Sequence, residues 1–173
     1  GRLKDLSYVA NVTGYYRLKL DAVMKEKGLR AASSGRVTLG FEPALEKTFN
    51  RGFTDYGLRG SQEKMGSMDT PKSLGEWAGT VQRMERDGFV LDGAVALHNG
   101  DGLCFFDESG ELNGTVVNGV EGSRVKVQKL EGLRLGTKIY RNHDHDFVKL
   151  LERLPAVRKV ALAIELRETD RGM

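Results

Sequence analysis

The run His143-Asp144-His145-Asp146 holds the residue types that most readily bind a metal ion. Two histidines at positions i and i+2 point to the same side of a strand, and adjacent carboxylates could complete a ligand set. The same residues also stand where a strand ends and a helix begins, where Asp side chains cap exposed backbone amides. A metal site needs three or four converging ligands, and nothing in the sequence brings the remaining histidine, His98, close. The pattern therefore favours capping over metal binding.

The candidate nucleophiles for covalent catalysis are one cysteine and a few serines. Cys104 lies in an apolar strand without the basic neighbours that lower a thiol pKa, so we expect a buried, inert side chain. As the single cysteine, it excludes an internal disulfide and a multi-cysteine metal site in this chain. Ser33, Ser34 and Ser67 lack the Gly-x-Ser-x-Gly elbow of a serine hydrolase. The sequence therefore predicts no catalytic residue.

Two further features have alternative interpretations. Asn99-Gly100-Asp101-Gly102 begins like a calcium loop but lacks the distant Glu of such a loop, so we interpret it as a turn. Trp77 could stack on a nucleic-acid base or fill the core of a barrel. Because large aromatic side chains are usually buried, we predict that Trp77 lies in the core.

The remaining candidate site is the loop Phe49-Asn50-Arg51-Gly52-Phe53-Thr54. Asn50, Arg51 and Thr54 are polar groups presented between Phe49 and Phe53. The loop could be an interdomain contact, with the phenylalanines docked and the arginine bonded to backbone carbonyls. It could also bind RNA, with the arginine on a phosphate and a phenylalanine stacked on a base. The sequence favours the interdomain contact and leaves the ligand contact open.

Composition limits the classes of protein to consider. The 27 basic and 24 acidic residues are interleaved, give a net charge of +3, and contain no run of five like charges. A polybasic nucleic-acid tail and a membrane-binding patch are therefore excluded. The 22 glycines among 173 residues are roughly twice the usual ~7%, which indicates many tight turns. No signal peptide or apolar spanning segment is evident, so we expect a cytoplasmic protein.

Apolar residues recurring at three- and four-residue steps predict one long helix from Asp5 to Lys27. The aspartate caps its start, and Gly28 follows its end. Its apolar stripe must be buried by the rest of the domain or by a missing neighbour. A short second helix is predicted from Phe41 to Thr48, with Pro43 in its first turn.

From residue 74 onward the pattern predicts short strands separated by glycine turns, followed by a helix over 146–153 and a last strand over 160–166. The predicted barrel strands are 77–84, 89–91, 94–97, 102–106, 114–117, 124–128 and 137–141. This is an α+β chain, with N-terminal helices followed by a small antiparallel β-barrel. We predict a helical segment with the loop over 1–60, a mobile loop over 61–73 and the barrel domain over 74–173. Since the last strand lacks a partner in the sequence, the chain is expected to be cut at both ends.

Three parts of the chain resemble peptidase family U32. Segments 1–10 and 16–21 resemble the turn and helix at the end of that family's catalytic barrel. Segment 49–54 resembles the Phe-x-Arg-Gly-Phe-Thr signature just after that barrel. Segments 99–103 and 136–141 resemble the collagenase-like β-domain of longer members, which is similar to the small barrels of translation factors.

The resemblance implies an internal piece of a larger U32 protein: the last barrel helix plus a collagenase-like accessory domain. Members carry a peptidase or collagenase label, and several relatives resemble proteins that hydroxylate ribosomal RNA, transfer RNA or a quinone precursor with an iron–sulfur cluster. The cluster cysteines belong to the missing barrel, so we expect no cofactor in this fragment. Expected partners are the missing N-terminal barrel of the same chain and an RNA or protein substrate, with no membrane.

Two functions therefore stand as hypotheses. The first is a non-catalytic accessory domain that positions a substrate for an attached catalytic barrel. The second is a peptidase activity within this chain, with a site formed by folding around His98, His143 or His145.

Overall fold

The computed structural model describes residues 4–30, 34–55, 57–58, 60, 70–93, 95–153 and 157–167. This part of the chain contains two helices, α1 and α2, and eight strands, β1 to β8. In chain order the elements are α1 Leu6–Glu26, β1 Arg36–Thr38, a 3-10 turn Leu45–Lys47, β2 Glu76–Met84, β3 Gly88–Asp92, β4 Gly102–Phe106, β5 Leu112–Glu121, β6 Arg124–Val127, β7 Lys138–His143, α2 His145–Arg153 and β8 Val157–Lys159. Neither helix has a stretch both long and apolar enough to cross a membrane.

Six strands close into an antiparallel barrel in the order β2-β3-β6-β5-β4-β7, which confirms the predicted α+β fold. Side chains alternate between the interior and the surface, as in β7, where Ile139 is fully buried beside exposed Lys138. The interior is filled by Ala78, Val81, Phe89, Leu91, Leu97, Leu103, Phe105, Val117, Val125, Val127, Leu133 and Ile139. Gly75 leads into β2 at φ +76°, and a Cβ there would lie 1.9 Å from the Arg141 carbonyl oxygen. A side chain at this position would therefore push β2 away from β7.

Helix α1 confirms the predicted long helix and its Asp5 cap, which accepts a hydrogen bond from the Tyr8 amide at 2.7 Å. Its buried residues are Ser7, Asn11 and Gly14 rather than the apolar stripe. The stripe is largely exposed within the described structure, with Leu6 at 71%, Tyr16 at 66%, Leu20 at 52%, Val23 at 50% and Val9 at 43%. The rest of the described chain therefore does not cover the stripe.

A polar contact holds α1 against the segment after β1. The Asn11 side-chain amide donates to the Ala44 carbonyl oxygen at 2.6 Å, and its oxygen accepts from the Ala44 amide at 2.9 Å. The same amide donates to Thr48 Oγ1 at 3.0 Å. The asparagine is fully buried, so these bonds satisfy a side chain that would be costly to bury unpaired.

Several predicted elements differ from the structure. The second helix, predicted over 41–48, is a single 3-10 turn at Leu45–Lys47. The residues on either side of this turn, Ala44 and Thr48, bond to Asn11 of α1. The described residues of the predicted strand 94–97 form a loop, and Ala94 itself lies outside the described residues. Residues 160–167 form no strand and are exposed, whereas β8, just before them, pairs with β1.

The predicted domain limits stay a prediction. Most of the expected mobile loop, residues 61–69, lies outside the described residues. The β1–β8 pairing sets Arg36 opposite Lys159, so the segment after α1 and the segment after α2 form one two-stranded sheet.

Candidate functional site

Asn50 fixes the base of the loop 49–54. The residue is 8% exposed, and its side-chain amide donates to the Glu46 and Thr48 carbonyl oxygens at 2.9 and 3.1 Å. Its own carbonyl oxygen accepts from the Leu74 amide at 3.0 Å and from the Ser73 hydroxyl at 3.2 Å. The loop is therefore anchored to the segment through which the chain enters β2.

The tip of the same loop is presented to solvent. Arg51 and Thr54 are exposed, and Phe53 is 66% exposed. Arg51 has no hydrogen-bond or ion-pair partner among the residues that the structure describes. Phe49 is half-buried, with Lys4 Nζ 2.9 Å from the centroid of its ring. The contact with backbone carbonyls that the sequence assigned to the arginine is made by Asn50, and the role of the loop tip stays a prediction.

A buried ion cluster lies at one end of the barrel, centred on Arg141, which is 3% exposed. Its Nη1 lies 3.1 Å from Asp101 Oδ2 and donates to the Ala96 carbonyl oxygen at 2.9 Å. Its Nη2 lies 3.1 Å from Asp144 Oδ2, and its Nε donates to Glu76 Oε1 at 2.8 Å. Burial acts to lower the pKa of Arg141, but the hydrogen bonds to the carboxylates outweigh it and raise the pKa above its usual value.

Asp101 joins three elements through one fully buried carboxylate. Besides Arg141, it accepts hydrogen bonds from the backbone amides of His98 at 2.9 Å and of His145 at 3.0 Å. The predicted turn is present at Asn99 and Gly100. Asp101 closes this turn, with its amide donating to the His98 carbonyl oxygen at 3.1 Å, and its side chain also binds Arg141 in the buried cluster. Sequence reasoning missed this role. One signal was available, since Arg141 lies at an inward position of β7, and a buried guanidinium needs carboxylate partners.

Lys47 connects the cluster to the N-terminal part of the chain. Its Nζ lies 2.8 Å from Asp144 Oδ2, and the lysine belongs to the 3-10 turn just before the loop. Burial acts to raise the pKa of Asp144, but the Lys47 ammonium, the Phe147 amide and Arg141 outweigh it and lower the pKa below its usual value. The loop base and the barrel are thus held together by an ion pair as well as by Asn50.

The predicted histidine cluster is a helix cap. Asp144 Oδ1 accepts from the Phe147 amide at 2.9 Å at the start of α2, which confirms the capping interpretation. The rings of His143 and His145 are 6.1 Å apart between centroids. Among the described residues, no group of three or more His, Cys, Asp or Glu side chains is placed to hold a metal ion.

Folding brings His98 closer to this cap than the sequence indicated. Its Nδ1 lies 4.0 Å from Asp146 Oδ2, and both side chains are more than half exposed. The pair borders a cavity of about 470 Å³ beside Arg141, Glu76 and Asp144. The Glu76 and Asp144 carboxylates of that cavity are bonded to the buried Arg141, so they are poor general bases.

Both Cys104 and Trp77 were predicted to be buried, and the structure agrees for the cysteine but not for the tryptophan. Cys104 is buried, its Sγ donates to the Leu74 carbonyl oxygen at 3.4 Å, and burial raises the pKa of its thiol to about 11. The predicted burial of the thiol is confirmed, and the raised pKa disfavours the reactive thiolate. The prediction of a core tryptophan is wrong, because Trp77 is 55% exposed on the outside of β2.

Comparison with known proteins finds a family model that covers the loop. Residues 1–67, which contain α1 and the loop 49–54, match the model of peptidase family U32. This part of the chain is therefore similar to a segment of U32 proteins. Over 176 aligned positions, the chain is also 37% identical to the 23S rRNA 5-hydroxycytidine C2501 synthase of Escherichia coli (strain K12).

The alignment with that synthase covers 96% of this chain and 27% of the relative. The chain thus spans about a quarter of the length of the curated relative that it matches. No solved structure matches the chain. The U32 match ends before β2, whereas the similarity to the synthase extends through the barrel.

Proposed function

We propose that this chain is a non-catalytic, RNA-positioning part of a longer U32 protein that hydroxylates a cytidine of 23S ribosomal RNA. The similarity to the E. coli synthase over nearly the whole chain supports the substrate, and the chain's 27% share of that protein supports an accessory part. The expected cytoplasmic setting agrees with a ribosomal RNA substrate.

The loop 49–54 carries the proposal. Asn50 is buried and saturated with hydrogen bonds, whereas Arg51 and Phe53 next to it are exposed. A guanidinium held on an anchored loop can donate two hydrogen bonds to a phosphate, and an exposed phenylalanine ring can stack on an unpaired base. The hydrogen bonds of Asn50 order the base of the loop in the free protein, so RNA binding does not carry the entropy cost of ordering it.

Charges elsewhere in the described chain support the non-catalytic part of the proposal. The buried carboxylates are bonded to Arg141 and Lys47, and the pKa of Cys104 is raised, which disfavours a nucleophilic thiolate. The same cysteine does not fit an iron–sulfur cluster, since it is buried under Leu74 and no second cysteine exists in the chain. We therefore assign any such cluster to the part of the protein outside this chain.

The test uses the full-length protein that contains this segment, in cells lacking the endogenous copy. Hydroxycytidine in 23S rRNA is measured by mass spectrometry for the wild type, Arg51→Ala, Phe53→Ala and Arg86→Ala. We expect a loss of modification for the two loop variants. The matched control is Arg86, an exposed arginine in the turn after β2, beyond the end of that strand that lies away from the loop base. Full modification in Arg51→Ala and Phe53→Ala would contradict the proposal.

The peptidase hypothesis keeps one observation in its favour, the His98–Asp146 pair at the edge of the cavity. A His–carboxylate pair can activate a nucleophile, although the distance of 4.0 Å exceeds a hydrogen bond. Gelatin cleavage by the purified protein that is lost in His98→Ala would favour this function over RNA positioning.

A further inference from the structure

Trp77 is exposed on a barrel in which Phe89 of β3 and Phe105 of β4 are fully buried. It is 55% exposed, whereas Ala78 after it is fully buried in the core. Tryptophan carries a large apolar surface that is normally removed from water, and it is enriched where proteins contact partners. The exposed indole therefore marks a surface on the outside of β2.

Tyr140 lies beside it on the neighbouring strand. Trp77 and Tyr140 are directly opposite in the antiparallel β2–β7 pair. Residues opposite each other share a face, with Cβ atoms about 5 Å apart. Ile139, the neighbour of Tyr140, is fully buried, so both aromatic side chains point away from the barrel interior. The outer face of β2 and β7 thus carries two aromatic residues at opposite positions, the exposed Trp77 and the half-buried Tyr140.

A cation flanks this aromatic pair. Lys138 precedes Tyr140 by two residues on β7, so it lies on the same face, and its side chain is exposed. Thr80 of β2 lies opposite Lys138. On the other side of Thr80, in β3, lies Asp92. The lysine is therefore the charged group nearer to the aromatic pair along this row.

The base of the loop 49–54 lies close to the same face of the barrel, next to β4. Tyr140 pairs with Cys104 of β4, whose Sγ donates to the Leu74 carbonyl oxygen at 3.4 Å. The Leu74 amide in turn donates to the Asn50 carbonyl oxygen at 3.0 Å. This chain of contacts places the base of the loop beside β4, on the side of Tyr140 that faces away from Trp77.

We propose that Trp77 and Tyr140 form a stacking surface for unpaired RNA bases, with Lys138 and the nearby Arg51 contacting phosphates of the same RNA strand. The inference rests on the proposed function and adds a place on the barrel where the RNA lies. Aromatic rings interleaved with cations suit single-stranded RNA, since every base has a stacking face and every linkage an anionic phosphate. A folded protein partner would gain from the two cations only where it presents carboxylates to them, whereas RNA carries a phosphate at every linkage.

The experiment measures binding of the full-length protein to a labelled single-stranded RNA copy of the 23S segment around the modified cytidine. Fluorescence anisotropy is recorded at several salt concentrations for the wild type, Trp77→Ala, Trp77→Phe, Arg51→Ala and Leu135→Ala. Leu135 is the matched control, an apolar side chain 68% exposed on another loop of the barrel. Thermal melting verifies that each variant is folded.

We expect Trp77→Ala to weaken binding about 5- to 100-fold, as for the loss of one stacked base, without a change in the salt dependence. Trp77→Phe should bind nearly as the wild type, since it keeps an aromatic face, and Leu135→Ala should be unchanged. Wild-type affinity in Trp77→Ala together with weak binding in Arg51→Ala overturns the stacking surface and leaves the proposed function intact. Absence of RNA binding by the wild type overturns both. A Trp77→Ala protein that melts well below the wild type shows that the indole packs on the protein itself, which also overturns the surface.

Discussion

Arg141 and Arg51 show two opposite uses of the same side chain. Arg141 is 3% exposed and bonded to Glu76, Asp101 and Asp144, whereas Arg51 is exposed and unpartnered within the described structure. A buried guanidinium must have its charge and its donors satisfied inside the protein, and no donor is left for a ligand. An exposed guanidinium on a fixed loop keeps its donors for a phosphate. The difference separates the residues that hold the barrel from those that are available for recognition.

The two arginines are also connected. Lys47 bonds to Asp144 of the buried cluster and lies three residues before Asn50, which fixes the loop. The buried cluster around Arg141 therefore contributes to the position of Arg51. Substitutions in the cluster should shift the loop through the Lys47 contact.

Removing the buried arginine should produce the largest effect. We expect Arg141→Met to lower the free energy of unfolding by about 3–5 kcal/mol, because it leaves three carboxylates without their shared cation. Denaturant unfolding followed by circular dichroism measures the change. The matched variant Arg51→Met should stay within about 0.5 kcal/mol of the wild type. An equal decrease in the free energy of unfolding for the two variants would contradict the different roles assigned to the two arginines.

A smaller loss is expected when the link between cluster and loop is removed. Lys47→Met should cost about 1–2 kcal/mol, since the lysine is partly exposed but its partner Asp144 is buried. A double-mutant cycle with Asp144→Asn measures the coupling in the same unfolding experiment. Strictly additive effects would show that the pair does not join the two regions.

Acid should lower the free energy of unfolding by a still smaller amount, because it protonates Asp144 of the buried cluster. Burial acts to raise the pKa of Asp144, but Lys47 and the Phe147 amide outweigh it, so the folded pKa lies below the unfolded value of about 3.9. The corresponding stability is complete above the unfolded pKa and is lost as the pH falls through the folded pKa. Unfolding measured between about pH 6 and pH 2 should show this decline, and Asp144→Asn should flatten it. A wild-type profile no steeper than that of the variant would contradict the assigned role of Asp144.

The fold was largely predictable because its signals are local. Alternating apolar residues and glycine turns predicted most barrel strands, and Asp5 and Gly28 predicted the limits of α1 within two residues. The same alternation was misleading in residues 160–166, which form no strand in the structure. Periodicity reports which residues are apolar, but pairing requires a partner strand that the sequence pattern does not identify.

The candidate site was predictable only in part, because its contacts are long-range. The loop 49–54 was found from its composition, but the role of Asn50 depends on Ser73 and Leu74, more than twenty residues away. Asp101 and Arg141 are forty residues apart, so their pairing followed from the closure of the barrel. Trp77 was assigned to the core from the average behaviour of tryptophan, which says nothing about which face of its strand is covered.

The central claim is that Arg51 is free to contact a phosphate of RNA. The most direct measurement is the salt dependence of RNA affinity for the full-length wild type and for Arg51→Ala. Loss of one phosphate contact should weaken binding and reduce the slope of log affinity against log salt concentration by about 0.7 for single-stranded RNA. An affinity and a slope that are both unchanged in Arg51→Ala would contradict the account.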